Sequence, residues 1–219
     1  MNSLAVRKSH CKIRRFYMRT SFRLFFLLAL SSLGSSWAYE PKEGDILFQT
    51  STSSQSLAIQ LVTKSPITHC GILQIRNGKA MVLEAIGPVC LTPMDEWIAR
   101  GKGGTVWVKR LENADTLLTS DAISAMREVG REYMGRAYDP LFEWSDKTIY
   151  CSELVWKVYQ RALGVELGDL QPFGSLDLSS AEARRIAKKR WGGLPPGDQK
   201  LITPAAIAAS PKLTPVYSR

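Results

Sequence analysis

Imidazole chemistry in this 219-residue chain has two histidines to draw on, and His10 lies in a basic, apolar stretch that reads as a leader. Any such mechanism therefore falls to His69. Three cysteines follow the leader, Cys70, Cys90 and Cys151, an odd number that leaves at least one thiol outside any disulfide. Cys151 begins a segment in which Cys151, Val155, Val158 and Ala162 recur at helical spacing and which Gly164 closes, so the spacing predicts a helix over 151–163. A thiol in the first turn of a helix faces unpaired N–H groups and the positive end of the dipole, which lower its pKa and favour the thiolate. Those N–H groups also suit a developing oxyanion. Cys151 is thus the candidate nucleophile, His69 its base, and a carboxylate is needed to orient the imidazole.

The elements around His69 supply that carboxylate. Asn77-Gly78 between the apolar, β-branched runs 68–76 and 79–86 is a two-residue hairpin turn, because both central residues must take positive φ. That turn makes paired positions sum to 155, placing His69 opposite Ile86 and Gly71 opposite Glu84. His69 and Glu84 are then diagonal neighbours on one face, their Cβ atoms roughly 7–8 Å apart, and Gly71 leaves room between them. Glu84 is the candidate that fixes the tautomer of His69. Further strands are expected at Ile46–Gln49 and Trp107–Leu111. Helices are expected near Leu57–Val62, from a Ser120 cap through Tyr133, and from a Ser179/Glu182 capping box into a basic run, Arg184 to Arg190, that reads as a solvated face. Cys90, after Gly87-Pro88, is expected in a loop, Glu153 as a solvent-facing charge, and the tail beyond 192 as irregular.

Residues 1–38 have the form of a signal peptide: basic residues, the apolar run Leu24–Leu30, then Ser36-Trp37-Ala38 for cleavage near Ala38. The run is about half the roughly 20 apolar residues that a membrane-spanning helix requires, so no stable span is expected once the leader is removed. The mature chain is expected in the periplasm or medium. Seven of the 29 Lys and Arg lie in the leader and none of the 20 Asp and Glu, leaving 22 (29 less 7) against 20. The near-neutral remainder argues against nucleic acid as a partner. Residues 39–219 suffice for one domain with its own core. Nucleophile elbows, Walker loops and dinucleotide fingerprints are absent from the sequence. A metal site is not expected, since residues 69 and 70 of a strand point to opposite faces, and no cofactor is called for. A Cys70–Cys90 disulfide is disfavoured by about 16 Å of separation along a continuing strand, unless Gly87-Pro88 folds the chain back.

A helix-leading Cys, a strand His and an orienting carboxylate, here in the order His, Glu, Cys, form a permuted papain arrangement. The segments Gly44–Phe48, Ser65–Ile72 (Ser-Pro-Ile-Thr-His-Cys-Gly-Ile), Val82–Ala85, Gly135–Asp139 and Tyr150–Val155 (Tyr-Cys-Ser-Glu-Leu-Val) resemble the permuted NlpC-type papain-like hydrolases of the YiiX and YaeF kind. Cys70 departs from the resemblance, which leads one to expect an aliphatic residue there. The resemblance implies an α+β, circularly permuted papain-like (NlpC-type) fold, an antiparallel sheet packed against the helix of the nucleophilic Cys. It implies Cys151, His69 and Glu84 as a triad that cleaves amide or peptide bonds through an acyl-enzyme, with peptides or small acyl-containing molecules, peptidoglycan among them, as substrates. The alternative is a lipid-directed acyltransferase or thioesterase using the same Cys–His pair. An apolar tunnel beside Cys151 would favour the alternative, and a polar cleft the peptide reading.

Overall fold

Asn77 and Gly78 take φ of 52° and 73°, the double positive φ that the hairpin requires. The strands on either side pair from Ile72 with Leu83 to Arg76 with Lys79, so the predicted register holds. The computed structural model describes residues 39–53, 55–193 and 197–219; the leader expected over 1–38 lies outside them. Along the chain run β1 (Ile46–Gln49), α1 (Ser56–Thr63), β2 (His69–Arg76), β3 (Lys79–Ala85), β4 (Val89–Pro93), α2 (Met94–Arg100), β5 (Trp107–Leu111), α3 (Ala114–Leu117) and α4 (Ser120–Tyr133). There follow α5 (Cys151–Leu163), β6 (Gln171–Pro172), α6 (Ala181–Trp191), β7 (Lys200–Leu201), α7 (Pro204–Ala208) and β8 (Leu213–Ser218).

Six strands form one antiparallel sheet in the order β4-β3-β2-β1-β5-β8, and β6 pairs with β7 apart from it. Strand alternation divides the core between the two faces of the sheet. Ile46, Phe48, Cys70, Ile72, Leu83 and Ala85 pack with the buried residues of α4 and α5, whereas Leu47, Leu73, Val82 and Val108 pack with Trp97 of α2. Central strands covered on both faces are apolar at nearly every position, as Ile46-Leu47-Phe48 is. The fold is α+β, with the helix that begins at Cys151 packed on the sheet.

Four expectations are corrected. Gly87-Pro88 folds the chain back into β4, which places Cys90 on a strand directly opposite Glu84 rather than in a loop. The tail is ordered: β7, α7 and then β8, which completes the sheet against β5. Helix caps fall one residue from the predicted ones, at Thr119, which accepts from Ala122 N–H, and at Ser180, which accepts from Ala183 N–H. Finally, Glu153 does not face solvent.

Because α5 is buried nearly all round over its first nine residues, Glu153 is taken out of water, and Lys157 one turn later donates to it at 2.7 Å. Lys157 also donates to the Ser145 carbonyl at 2.6 Å and to Asp146 at 2.8 Å. Burial pushes the Glu153 carboxyl up to about 7 even against this partner. We expect Lys157→Met to cost about 3–5 kcal/mol at pH 8, since it leaves a buried charge alone. The cost should shrink as pH falls through about 7 and Glu153 takes up a proton. Urea unfolding of both proteins at pH 8 and pH 5 measures it. An equal loss at both pH values would mean that the pair does not set the stability of α5.

Candidate active site

The N-terminus of α5 is fixed by β7 and the residue after it. The Ile202 N–H donates to the Tyr150 hydroxyl at 3.2 Å, and the Ser152 hydroxyl donates to the Ile202 carbonyl at 2.8 Å. Cys151 between them is 3 % exposed. Helix orientation is thereby set from the tail, well away in sequence.

His69, the first residue of β2, is hydrogen-bonded through Nε2 to Glu84 Oε2 at 2.6 Å, which confirms the diagonal pair predicted from the hairpin. Gly71 is obligatory between them, since a Cβ there would fall 2.5 Å from Val82 Cγ1 and 2.8 Å from the Leu83 carbonyl oxygen. Glu84 is fully buried and has two further donors, Thr92 Oγ1 at 2.5 Å and Arg100 Nη2 at 2.6 Å to each carboxylate oxygen. Burial by itself would raise the Glu84 pKa, but His69 and then Arg100 hold it down at about 2. Trp97 stacks on the imidazole with centroids 5.8 Å apart and planes inclined by 25°.

The imidazole also interacts directly with the Cys151 thiol. Burial opposes a charge on His69, yet the Cys151 thiolate and the Glu84 carboxylate raise it to about 9. Cys151 is lowered well below its ordinary value, by the Cys70 thiol first and then, against burial, by the His69 cation. All three predicted residues are therefore brought together.

Cys70 corrects the sequence reading in part. Alternation turns it away from His69, as expected, but that turns it onto the face where α5 lies, in the same core cluster as Cys151 and close enough to influence its thiol. Burial and the neighbouring thiolate hold Cys70 protonated, with a pKa well above the usual one. Cys70, Cys90 and Cys151 are all free thiols, and Cys90 Sγ lies 3.7 Å from Thr92 Oγ1. Thr92, Trp97 and Arg100 were not found from sequence. They sit on β4 and α2, and the sequence signal that would have exposed them is the Gly87-Pro88 reversal followed by alternating residues.

Two recesses flank this cluster. One has Cys151 in its wall and is otherwise lined by residues such as Ile59, Val62, Phe173, Leu176 and Ile186. The other, about 260 Å³, has His69 in its wall together with Gln49, Ser51, Thr68, Arg100 and Tyr138. Ile59 of α1 lines both and forms the partition.

A strand His held by a buried Glu and set against a helix-leading thiol, on an antiparallel sheet entered His first, defines a permuted papain-like architecture. The chain belongs to the permuted papain-like amidase family YaeF/YiiX, C92, whose family model matches residues 40–217. It is 44 % identical over 192 residues to the uncharacterized protein YiiX of Escherichia coli (strain K12), covering 87 % of this chain and 94 % of that one. It also resembles a crystal structure titled metalloprotein YiiX, from Escherichia coli O157:H7, with a TM-score of 0.79 and 42 % identity over 83 % of this chain and 99 % of that one. In the present chain Nε2 of His69 is taken by Glu84, and the imidazole and Cys70 both turn to the Cys151 sulfur. Among the described residues no three His, Cys, Asp or Glu side chains are arranged to hold a metal ion. No helix among the described residues is long and apolar enough to cross a membrane.

Proposed function

We propose that this protein is an exported cysteine amidase in which Cys151, His69 and Glu84 act as a triad through an acyl-enzyme. The observation that carries the reading is the line of contacts from Glu84 through one imidazole nitrogen, at 2.6 Å, and through the imidazole to Cys151. The Cys151 thiolate attacks the amide carbonyl carbon, and the oxyanion so formed is held by the free N–H groups that begin α5. His69, protonated at rest, gives its proton to the amine as the C–N bond breaks. Water, deprotonated by the now neutral imidazole, attacks the thioester, frees the acid and restores the thiolate. Glu84 touches no reacting atom and is a positioning residue that keeps the imidazolium oriented. Export rests on the leader-like first 38 residues and would bring the enzyme to cell-wall peptides. The lipid-directed reading, acyl transfer or thioester hydrolysis by the same pair, is favoured by one observation, the apolar recess that Cys151 walls.

Thiol labelling tests the pairing without any substrate. Iodoacetamide at neutral pH should modify Cys151 first, Cys90 at the rate of an ordinary thiol, and Cys70 hardly at all. His69→Ala should slow the labelling of Cys151 by removing the cation that stabilises its thiolate, and leave Cys90 unaffected. Hydrolysis should rise with pH through the depressed pKa of Cys151 and fall through about 9, where His69 loses the proton that the amine requires. If Cys151 reacts no faster than Cys90, or takes no notice of His69, the triad reading fails.

A further inference from the structure

Cys70 is a thiol that the triad does not use, set where the sequence pattern leads one to expect an aliphatic side chain. It is fully buried and shares its core cluster with Ile46, Phe48, Ile72 and Leu83. An aliphatic group would satisfy such a shell by packing alone. What Cys70 adds is a second sulfur beside the nucleophile, for Cys151 belongs to the same cluster.

Both sulfurs are carried by elements that are held in place. β2 lies inside the sheet between β1 and β3, with Cys70 paired in register with Phe48. α5 is pinned at its start, where Tyr150 and Ser152 on either side of Cys151 are tied to Ile202. Access to the two differs. Cys151 stands in the wall of the apolar recess, whereas Cys70 lines neither recess, so a small solute meets Cys151 first. Cys90 is in register with Glu84 and so stands on the face of the sheet away from Cys70, its sulfur 3.7 Å from Thr92 Oγ1.

We propose that Cys70 and Cys151 form a reversible oxidation site for hydroperoxides, in which Cys151 takes the oxygen and Cys70 closes a disulfide on it. This assignment rests on Cys151 as the reactive thiol. The Cys151 thiolate attacks one oxygen of hydrogen peroxide, the O–O bond breaks, and a sulfenic acid and hydroxide result. The Cys70 sulfur then displaces the sulfenic oxygen, which leaves as water with the Cys70 proton, and the S–S bond forms. The peroxide is the oxidant, and a dithiol reopens the bond and returns both thiols. Without Cys70 the sulfenic acid has no thiol in its cluster to condense with and passes on to the sulfinic acid, which a dithiol does not reduce.

Hydrogen peroxide treatment at neutral pH, then iodoacetamide and peptide mapping with and without dithiothreitol, tests the assignment. In the unaltered protein we expect the Cys70 and Cys151 peptides to be joined, and labelling of Cys151 to fall more than about tenfold and return in full with dithiothreitol. In Cys70→Val, dithiothreitol should restore less than about one-tenth of that variant's own untreated labelling. Cys70→Ala should behave alike if the larger side chain disturbs packing, and Cys90→Ser should leave the joined pair unchanged. Joining through Cys90, or sulfinic acid on Cys151 at the same rate with and without Cys70, while untreated Cys151 labels rapidly, overturns the role of Cys70 and leaves the nucleophile standing. Slow, His69-independent labelling of untreated Cys151 overturns both.

Discussion

Cys151→Ala and His69→Ala should each lower turnover by about 10⁴-fold or more, and the double variant should be no worse than the worse single. The two groups act as one pair: Cys151 without the imidazolium loses one of the two partners that favour its thiolate, Cys70 being the other, and His69 without the thiol has nothing to activate. Neither change should unfold the protein, because α5 is anchored through Tyr150, Ser152 and Ile202 rather than through the thiol. Steady-state rates on an acyl anilide, with circular dichroism as the control for folding, measure the effect. Residual activity above about one per cent in Cys151→Ala would sink the assignment of the nucleophile.

Glu84→Gln should be milder than either, yet more damaging than loss of a charge at the surface. Glu84 accepts from His69, Thr92 and Arg100 at once, with no polar atom facing water. An amide offers one oxygen for these donors. Turned with its NH2 toward His69, it forces the ring into the tautomer that cannot hold the imidazolium. Turned the other way, it sets N–H against the Arg100 guanidinium. We expect a loss of about 10²–10⁴ in kcat/KM. The alkaline limb should move down from about 9, because one of the two groups that raised it is gone while Cys151 remains. A large loss of rate with the limb unmoved would show that Glu84 shapes the site without holding the charge on His69.

The site was legible where a single local rule carried the geometry. Asn77-Gly78 fixes the register, the register makes His69 and Glu84 diagonal partners, and Gly71 is demanded between them. What escaped depends on contacts that no local rule sets. The statement that residues 69 and 70 point apart was right, but which layer covers the Cys70 face is decided by α5, some eighty residues later. Arg100 and Thr92 were missed because the chain reverses at Gly87-Pro88, where the turn carries no Asn-Gly signal and the strand that follows is short. Glu153 and Lys157 lie four residues apart, a pairing visible in the sequence. That the pair is buried is not, because it requires knowing that α5 is covered on every side.

The rings of Tyr39 and Tyr217 stack with centroids 5.2 Å apart and planes inclined by 19°. The described domain therefore begins and ends at one place, beside the β8 edge of the sheet. In space the backbone is close to a ring, and where the gene cuts that ring is a matter of bookkeeping rather than of chemistry. A cut between β5 and α4, with the two tyrosine ends joined, would give a chain that reads thiol first and imidazole second while every strand keeps its neighbours. The inverted order of His69, Glu84 and Cys151 is a property of the reading frame of the ring, and the active-site cluster is indifferent to it.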